Sequence, residues 1–170
     1  MELQTNSGVA GRLDEILASI PNLKHLDISL TMVSGTIPAQ SLSNLEVLKL
    51  WGTEVTGTLP TEIGTWTNLQ TLNLHDLQGM VGTLPTQLGL LTNLESLILG
   101  YASNLQGNLP SELGLLTKLV EMDLKFTSRE GNLPTEYGQL SNLMLFDISF
   151  NEGITGTIPS EYANWFNISK

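Results

Sequence analysis

Leu69-Gln-Thr-Leu72-Asn-Leu74-His-Asp-Leu77-Gln-Gly-Met-Val-Gly82-Thr-Leu-Pro85-Thr-Gln-Leu88-Gly-Leu-Leu91-Thr-Asn-Leu94 is one period of a pattern that fills this chain. Prolines recur at Pro38, Pro60, Pro85, Pro110, Pro134 and Pro159, in steps of 22, 25, 25, 24 and 25 residues. Each closes a Gly-x-Leu/Ile-Pro cell that begins at Gly35, Gly57, Gly82, Gly107, Gly131 or Gly156. A second beat runs through Leu23, Leu45, Leu69, Leu94, Leu119 and Leu143. Repetition at this period is the signature of a solenoid, in which each coil buries its apolar face only against its neighbours.

Within a period the residue types dictate the path. Leu69-Gln-Thr-Leu72-Asn-Leu74 alternates as a half-buried strand, with Leu72 and Leu74 inward. The matching inward pairs are Leu26 and Ile28, Leu48 and Leu50, Leu97 and Leu99, Met122 and Leu124, and Phe146 and Ile148. A glycine permits a tight bend, and the proline after it stops ladder pairing. On the return leg, Ile63 and Trp66, Leu88 and Leu91, Leu113 and Leu116, Tyr137 and Leu140, and Tyr162 and Trp165 stand three residues apart. That spacing predicts one short 3₁₀ turn per coil. The following Ser/Thr-Asn steps suit a turn back into the next strand, with side chains bonding to nearby backbone.

Leu-x-x-Leu-x-Leu followed by Gly-x-Ile/Leu-Pro-x-x-x-Gly-x-Leu resembles the plant-type leucine-rich repeat, and about six such cells cover residues 21–165. The resemblance implies an α/β fold: a right-handed solenoid with a concave parallel β-sheet and short 3₁₀ or irregular return legs. It also implies a secreted or cell-surface protein, or a receptor-ectodomain fragment, that recognises a protein, peptide or glycan. The chain departs from the family pattern where an asparagine is usual, three residues after the last strand leucine. Those positions read Thr31, Thr53, Leu77, Ala102, Thr127 and Asn151. The third, fourth and sixth cells carry one extra residue before the glycine, which predicts a bulge or irregular turn on that edge.

A length of 170 residues fits a single repeat domain over 1–170. Seventeen acidic against seven basic residues, net charge −10, argue against nucleic acid, whose phosphates need cationic partners. The chain has no cysteine, so disulfides and thiolate metal sites are excluded. No apolar run reaches the roughly 18 residues of a membrane span, and residues 1–6 lack a leader's basic and apolar regions. An intracellular scaffold is therefore kept as a third reading. Leu13, Ile16, Leu17 and Ile20 form one apolar stripe, predicting a helix over 9–20 that covers the N-terminal end of the core. Tyr162, Trp165, Phe166 and Ile168 are placed to do the same at the other end.

Catalytic groups are sparse. His75 adjoins Asp76, and His25 lies two residues from Asp27, but no serine completes a relay and no cofactor or metal site is indicated. The expected activity is non-catalytic. The outward strand positions carry more: Trp51, His75, Asp76, Tyr101, Asp123, Lys125, Phe126, Asp147 and Phe150 fall on the concave face. Tyr101, Phe126 and Phe150 share one column in three successive coils, and exposed aromatic rows mark recognition surfaces. A second row, Thr36, Thr58, Thr83, Asn108, Asn132 and Thr157, follows the bend glycines. Flat hydroxyl arrays of this kind resemble those of ice-binding solenoids, which makes ice binding the alternative activity. The chain's glycosylation sequon is Asn167-Ile-Ser169.

Overall fold

The structure, a computed structural model, describes residues 8–166. Asn167 with its sequon, Ile168 and the Phe166 side chain lie outside what is described. In chain order the elements are β1 (Ala10–Arg12), α1 (Leu13–Ser19), β2 (His25–Asp27), β3 (Met32–Ser34), β4 (Val47–Lys49) and β5 (Thr71–Asn73). They continue as β6 (Ser96–Ile98), β7 (Gly107–Asn108), β8 (Glu121–Asp123), β9 (Arg129–Asn132), β10 (Leu145–Asp147) and β11 (Gly153–Thr155). Strands β2, β4, β5, β6, β8 and β10 form one six-stranded parallel sheet. The fold is the right-handed leucine-rich-repeat solenoid, with this sheet on its concave side.

Its register aligns Leu26, Leu48, Leu72, Leu97, Met122 and Phe146 in one inward column. Leu48, Leu72, Leu97 and Met122 have no exposed surface. Burying one such side chain stabilises by about 1.5–3 kcal/mol, so the column is a principal source of cohesion. The strands are only three residues long because a polar group soon ends most of them. The carboxylate or amide oxygens of Asp27, Asn73, Asp123 and Asp147 accept the backbone N–H two residues on. Lys49 and Ile98 hold the same register position without such a bond.

Beyond the sheet the chain enters a second, fragmented layer. β1 pairs with β3, β7 with β9 and β9 with β11, and the middle coils join through the bridges Thr36–Thr56, Gly57–Met80 and Gly82–Leu105. Val33, Val55, Met80, Leu105 and Ile154 make its inward column. Met80, Leu105 and Ile154 stand six residues after the last strand leucine or isoleucine, and Val33 and Val55 five. The extra residue is taken up before the column, so its side chains stay in line.

The bend glycines Gly35, Gly57, Gly82, Gly107, Gly131 and Gly156 all have φ between +82° and +90°. The 3₁₀ turns Thr61–Thr65, Thr86–Leu90, Ser111–Leu115, Thr135–Gln139 and Ser160–Phe166 follow their prolines, as the i, i+3 spacing predicts. The Ser/Thr-Asn steps work differently from expectation. Asn68, Asn93 and Asn142 donate their amides to the carbonyls of Ser43, Thr67 and Thr117 in the preceding coil. They are clamps between coils rather than local turn bonds.

The helix expected over 9–20 is shorter. Residues 10–12 are strand β1, hydrogen-bonded along β3, and helix runs only over Leu13–Ser19. Edge pairing with β3 satisfies the backbone of Ala10–Arg12 better than a first helical turn would. Leu13 and Leu17 are fully buried and Ile16 packs on the core, but Ile20 is 40% exposed and leaves the stripe. At the other end Tyr162 is buried and Trp165 partly so.

Candidate binding surface

Five residues after the first residue of each strand, the chain turns through left-handed backbone at Leu30, Gly52, Asp76, Tyr101, Phe126 and Phe150, with φ of +52° to +66°. The sheet register stacks these positions into one column along the edge of the concave face. Glycine and aspartate tolerate this conformation, whereas three successive aromatics carry strain there.

Those aromatics assemble with the residues before them. Trp51 meets His75 edge to face at 6.5 Å, and His75 meets Tyr101 in the same manner at 5.1 Å. Tyr101 stacks on Phe126 at 4.8 Å and 21°, and Phe126 on Phe150 at 4.0 Å and 8°. Five rings therefore run unbroken across five coils. Tyr101 is 40% exposed and Phe150 67%, while Trp51, His75 and Phe126 are half-buried. Trp51 joins the row through His75, which supplies the rung between it and the stacked column.

The charged candidates divide. Asp123, placed by sequence on the open concave face, is buried. A Cβ on Gly100 would come within 2.9 Å of its carboxylate, which holds the Lys125 Nζ at 3.2 Å. This hydrogen bond raises the Lys125 ammonium above its ordinary value. Nζ also stands 5.5 Å from the Tyr101 ring centroid, a cation–π arrangement that ties the ion pair to the aromatic row. The Asp147 carboxyl lies below its usual value, chiefly because the Ser149 hydroxyl donates to it at 2.6 Å. Asp76 is exposed and accepts from the Gln78 amide. At the opposite margin of the sheet, Glu46 takes hydrogen bonds from Lys24 and His25, Lys24 having the larger effect in lowering its pKa.

Thr36, Thr58, Thr83, Asn108, Asn132 and Thr157 are all exposed on the flank. Their spacing has a packing cause. A Cβ on Gly57, Gly82 or Gly107 would meet the Cγ2 methyl of Thr36, Thr58 or Thr83 at 3.2, 3.3 or 2.9 Å. One on Gly131 or Gly156 would meet the amide oxygen of Asn108 or Asn132 at 2.8 Å. The first five, Thr36 to Asn132, thus seat over the bend glycine of the next coil.

Sequence reasoning missed Arg129. It occupies the fifth place in the apolar column of Val33, Val55, Met80, Leu105 and Ile154, with no exposed surface. Its Nε donates to the Thr127 hydroxyl and its Nη1 to the Gln106 carbonyl, while Nη2 has no partner. Burial pushes its guanidinium down to about 10. In a coil without the extra residue it reads as a flank polar residue; counting five from Leu124, as from Leu50 to Val55, would have placed it inward. Around it, Asn151, at the position where the family usually has asparagine, satisfies backbone groups of its own and the preceding coil. Its oxygen accepts from Thr127 and Arg129 N–H, and its amide donates to the Leu124 carbonyl. Thr31, Thr53 and Thr127 serve more locally, each donating its hydroxyl to the carbonyl three residues back.

A family model described as a leucine-rich repeat region matches residues 17–161. Among solved structures, the Arabidopsis receptor kinase HAESA, in complex with the peptide hormone IDA and the co-receptor SERK1, matches with a TM-score of 0.84 and 32% identity. That match covers 95% of this chain and 28% of the receptor chain. The PEPR1–AtPEP1 structure matches with a TM-score of 0.86 and 25% identity over 96% of this chain and 23% of its own. The BIR3–SERK2 complex from Arabidopsis thaliana matches at 0.61 and 31% identity, covering 75% and 66%. The chain thus spans about a quarter of the length of the first two. No curated protein sequence matches it. With the repeat anatomy, the parallel sheet and the family match in agreement, the chain belongs to the leucine-rich-repeat family, of the plant type.

Proposed function

We propose that this chain is a non-catalytic recognition module that binds a protein or peptide along its concave face, as part of a secreted or cell-surface protein. The observation that carries the reading is the unbroken row of Trp51, His75, Tyr101, Phe126 and Phe150. Rigid aromatics bring contact area at little rotamer cost, and such residues dominate binding energies. The rings of the stacked part face one another, so their edges are what a partner meets. Ring edges are electropositive and suit backbone carbonyls and carboxylates, whereas a glycan would use ring faces. This favours a peptide or protein over a glycan. The HAESA structure is a complex with a peptide hormone and a co-receptor, which supports the same class of partner.

The test is to pan a linear peptide library on the chain and measure enriched peptides by calorimetry. Tyr101→Ala and Phe126→Ala should weaken binding about tenfold or more, by analogy with ~2 kcal/mol hot spots. Thr58→Ser and Thr83→Ser should leave it unchanged. The reverse pattern, or ice-recrystallisation inhibition lost with the threonines, would move the active surface to the flank.

A further inference from the structure

We propose that the outer edge of β10 takes an extended strand of a partner protein. That strand runs parallel to β10 and carries two apolar side chains at alternate positions, with a basic one between them. β10 ends the concave sheet and pairs with β8 alone. At the junction of coils five and six, Leu124 and Phe126 donate their N–H groups to the carbonyls of Asp147 and Ser149. In return the Val120 carbonyl accepts from Met144 and Leu145. The four earlier junctions repeat these bonds at the matching positions. In coil six the matching groups are the Ile148 and Phe150 N–H and the Met144 carbonyl. None of the three has a partner among the described residues.

The apolar side of this edge is equally unfinished. Phe146 and Ile148 are half-buried, whereas Met122 and Leu124, one coil in, have no exposed surface. Trp165, edge to face with Phe146 at 5.2 Å, is half-buried as well. The opposite end of the sheet differs. There α1 closes the core, and Leu26 and Ile28 of the first coil are only 3% and 1% exposed. The β2 edge therefore offers backbone without apolar surface, and serves as an internal control.

The coil junctions specify what fits. An unpaired edge is a template for another strand, and strand addition draws affinity from main-chain bonds and specificity from alternate side chains. In the register of the sheet, residues equivalent to Leu48 and Leu50 would lie against Phe146 and Ile148, as Leu48 lies beside Leu26. The residue between them would stand beside Asp147, as Lys49 stands beside Asp27 with 3.8 Å from Nζ to carboxylate. Residues 143–165 include Asp147, Glu152 and Glu161 and no lysine or arginine. An incoming basic residue meets uniform negative charge, and opposite charges across strands stabilise the pairing.

The proposal rests on reading the chain as a protein-binding module, and the fold supplies its own probe. Residues 44–52, which include β4, already join β2 in this manner. A capped synthetic peptide of that sequence is titrated into the ¹⁵N-labelled chain and followed by amide shifts and hydrogen exchange. Saturable shifts are expected at Phe146, Ile148 and Phe150, with slowed exchange of the Ile148 and Phe150 amides and no change at Lys24 or His25. Lys49→Gln in the peptide should weaken binding about twofold to fivefold, as should Asp147→Asn in the chain. The peptide carrying Leu48→Ser and Leu50→Ser should not bind. Absence of saturation, equal shifts at the β2 edge, or binding indifferent to the two leucines would overturn the proposal. So would Ile148 and Phe150 amides already protected in the free chain, which would mean that another part of the chain covers the edge. Protection that grows with chain concentration would assign the edge to a second copy instead. If library peptides bind through Tyr101 while this probe does not, recognition stands and the edge falls. If the probe binds and the Tyr101 and Phe126 variants are silent toward library peptides, the reverse holds.

Discussion

Phe126 and Phe150 stack 4.0 Å apart and 8° from parallel, and both hold left-handed backbone, at φ +52° and +58°. For Phe126 the conformation costs about 1–2 kcal/mol, while each of its two stacks, on Tyr101 and on Phe150, returns about 0.5–1.5 kcal/mol beyond its buried area. The two terms nearly offset, so stability gives little reason for rings at these positions. Asparagine, which visits this conformation readily, would serve the turn.

Phe126→Asn should therefore change the unfolding free energy by less than about 1 kcal/mol, while reducing affinity for concave-face peptides. Urea unfolding followed by circular dichroism reads the first quantity. A loss well above 2 kcal/mol would mean that the aromatic row is part of the core.

Leu97 is fully buried between Leu72 and Met122 in the sheet register. Leu97→Ala should cost about 2–5 kcal/mol, and nearest-neighbour coupling should spread that loss along the stack. Hydrogen exchange ought to show accelerated opening in the coils on both sides. Faster exchange confined to residues 94–118 would contradict it.

Gly107 combines φ of +87° with the Thr83 methyl at 2.9 Å from where its Cβ would lie. Gly107→Ala should lose about 1–3 kcal/mol from backbone strain and contact together. Adding Thr83→Ser removes the methyl and should restore only the contact part. A thermal-melt double-mutant cycle isolates that share; full additivity would show that the threonine does not press on the glycine.

Arg129→Leu places in coil five the kind of side chain found at Val55, Leu105 and Ile154. Exchanging a buried, incompletely bonded ion for a hydrophobe is often neutral or stabilising by about 1–4 kcal/mol. The backbone carbonyl of Gln106 loses its donor, but it belongs to an exposed residue. Denaturant unfolding should show equal or higher stability, and a clear loss would assign Arg129 a structural bond network worth more than its desolvation.

Asp147 should titrate below the ordinary carboxylate range, and Ser149→Ala should raise its pKa, because the Ser149 hydroxyl is the largest cause of the shift. A carboxyl with a depressed folded pKa stabilises the fold above its unfolded pKa. That contribution disappears as pH falls through the folded value. Carboxyl ¹³C shifts in acid provide the measurement; identical titration in both proteins would exclude the hydroxyl as the cause.

The inward leucines and the 3₁₀ turns were legible because both follow from period and polarity. The aromatic column was legible for the same reason, since a fixed step from each strand finds Tyr101, Phe126 and Phe150. Arg129 was not, because coils differ by one residue just before it, and a polar residue there reads as surface. Asp123 looked open because alternation gives the face of a residue, not the neighbour that folds over it. Asn68, Asn93 and Asn142 looked like local turn residues because their partners lie a full coil away. The split of residues 9–20 into β1 and α1 depended on an available edge, β3, which no local pattern announces.

The connections between coils also govern how the molecule would respond to force. Sheet bonds, asparagine clamps and threonine-on-glycine seats each join a coil to the next along the stack axis. Tension between the two ends would load these links in series, so the weakest terminal coil gives way before the rest. Each release frees about 25 residues, roughly 8 nm of extended chain. The solenoid would pay out in nearly equal steps, lengthening severalfold while the coils still stacked keep their sheet and their aromatic row.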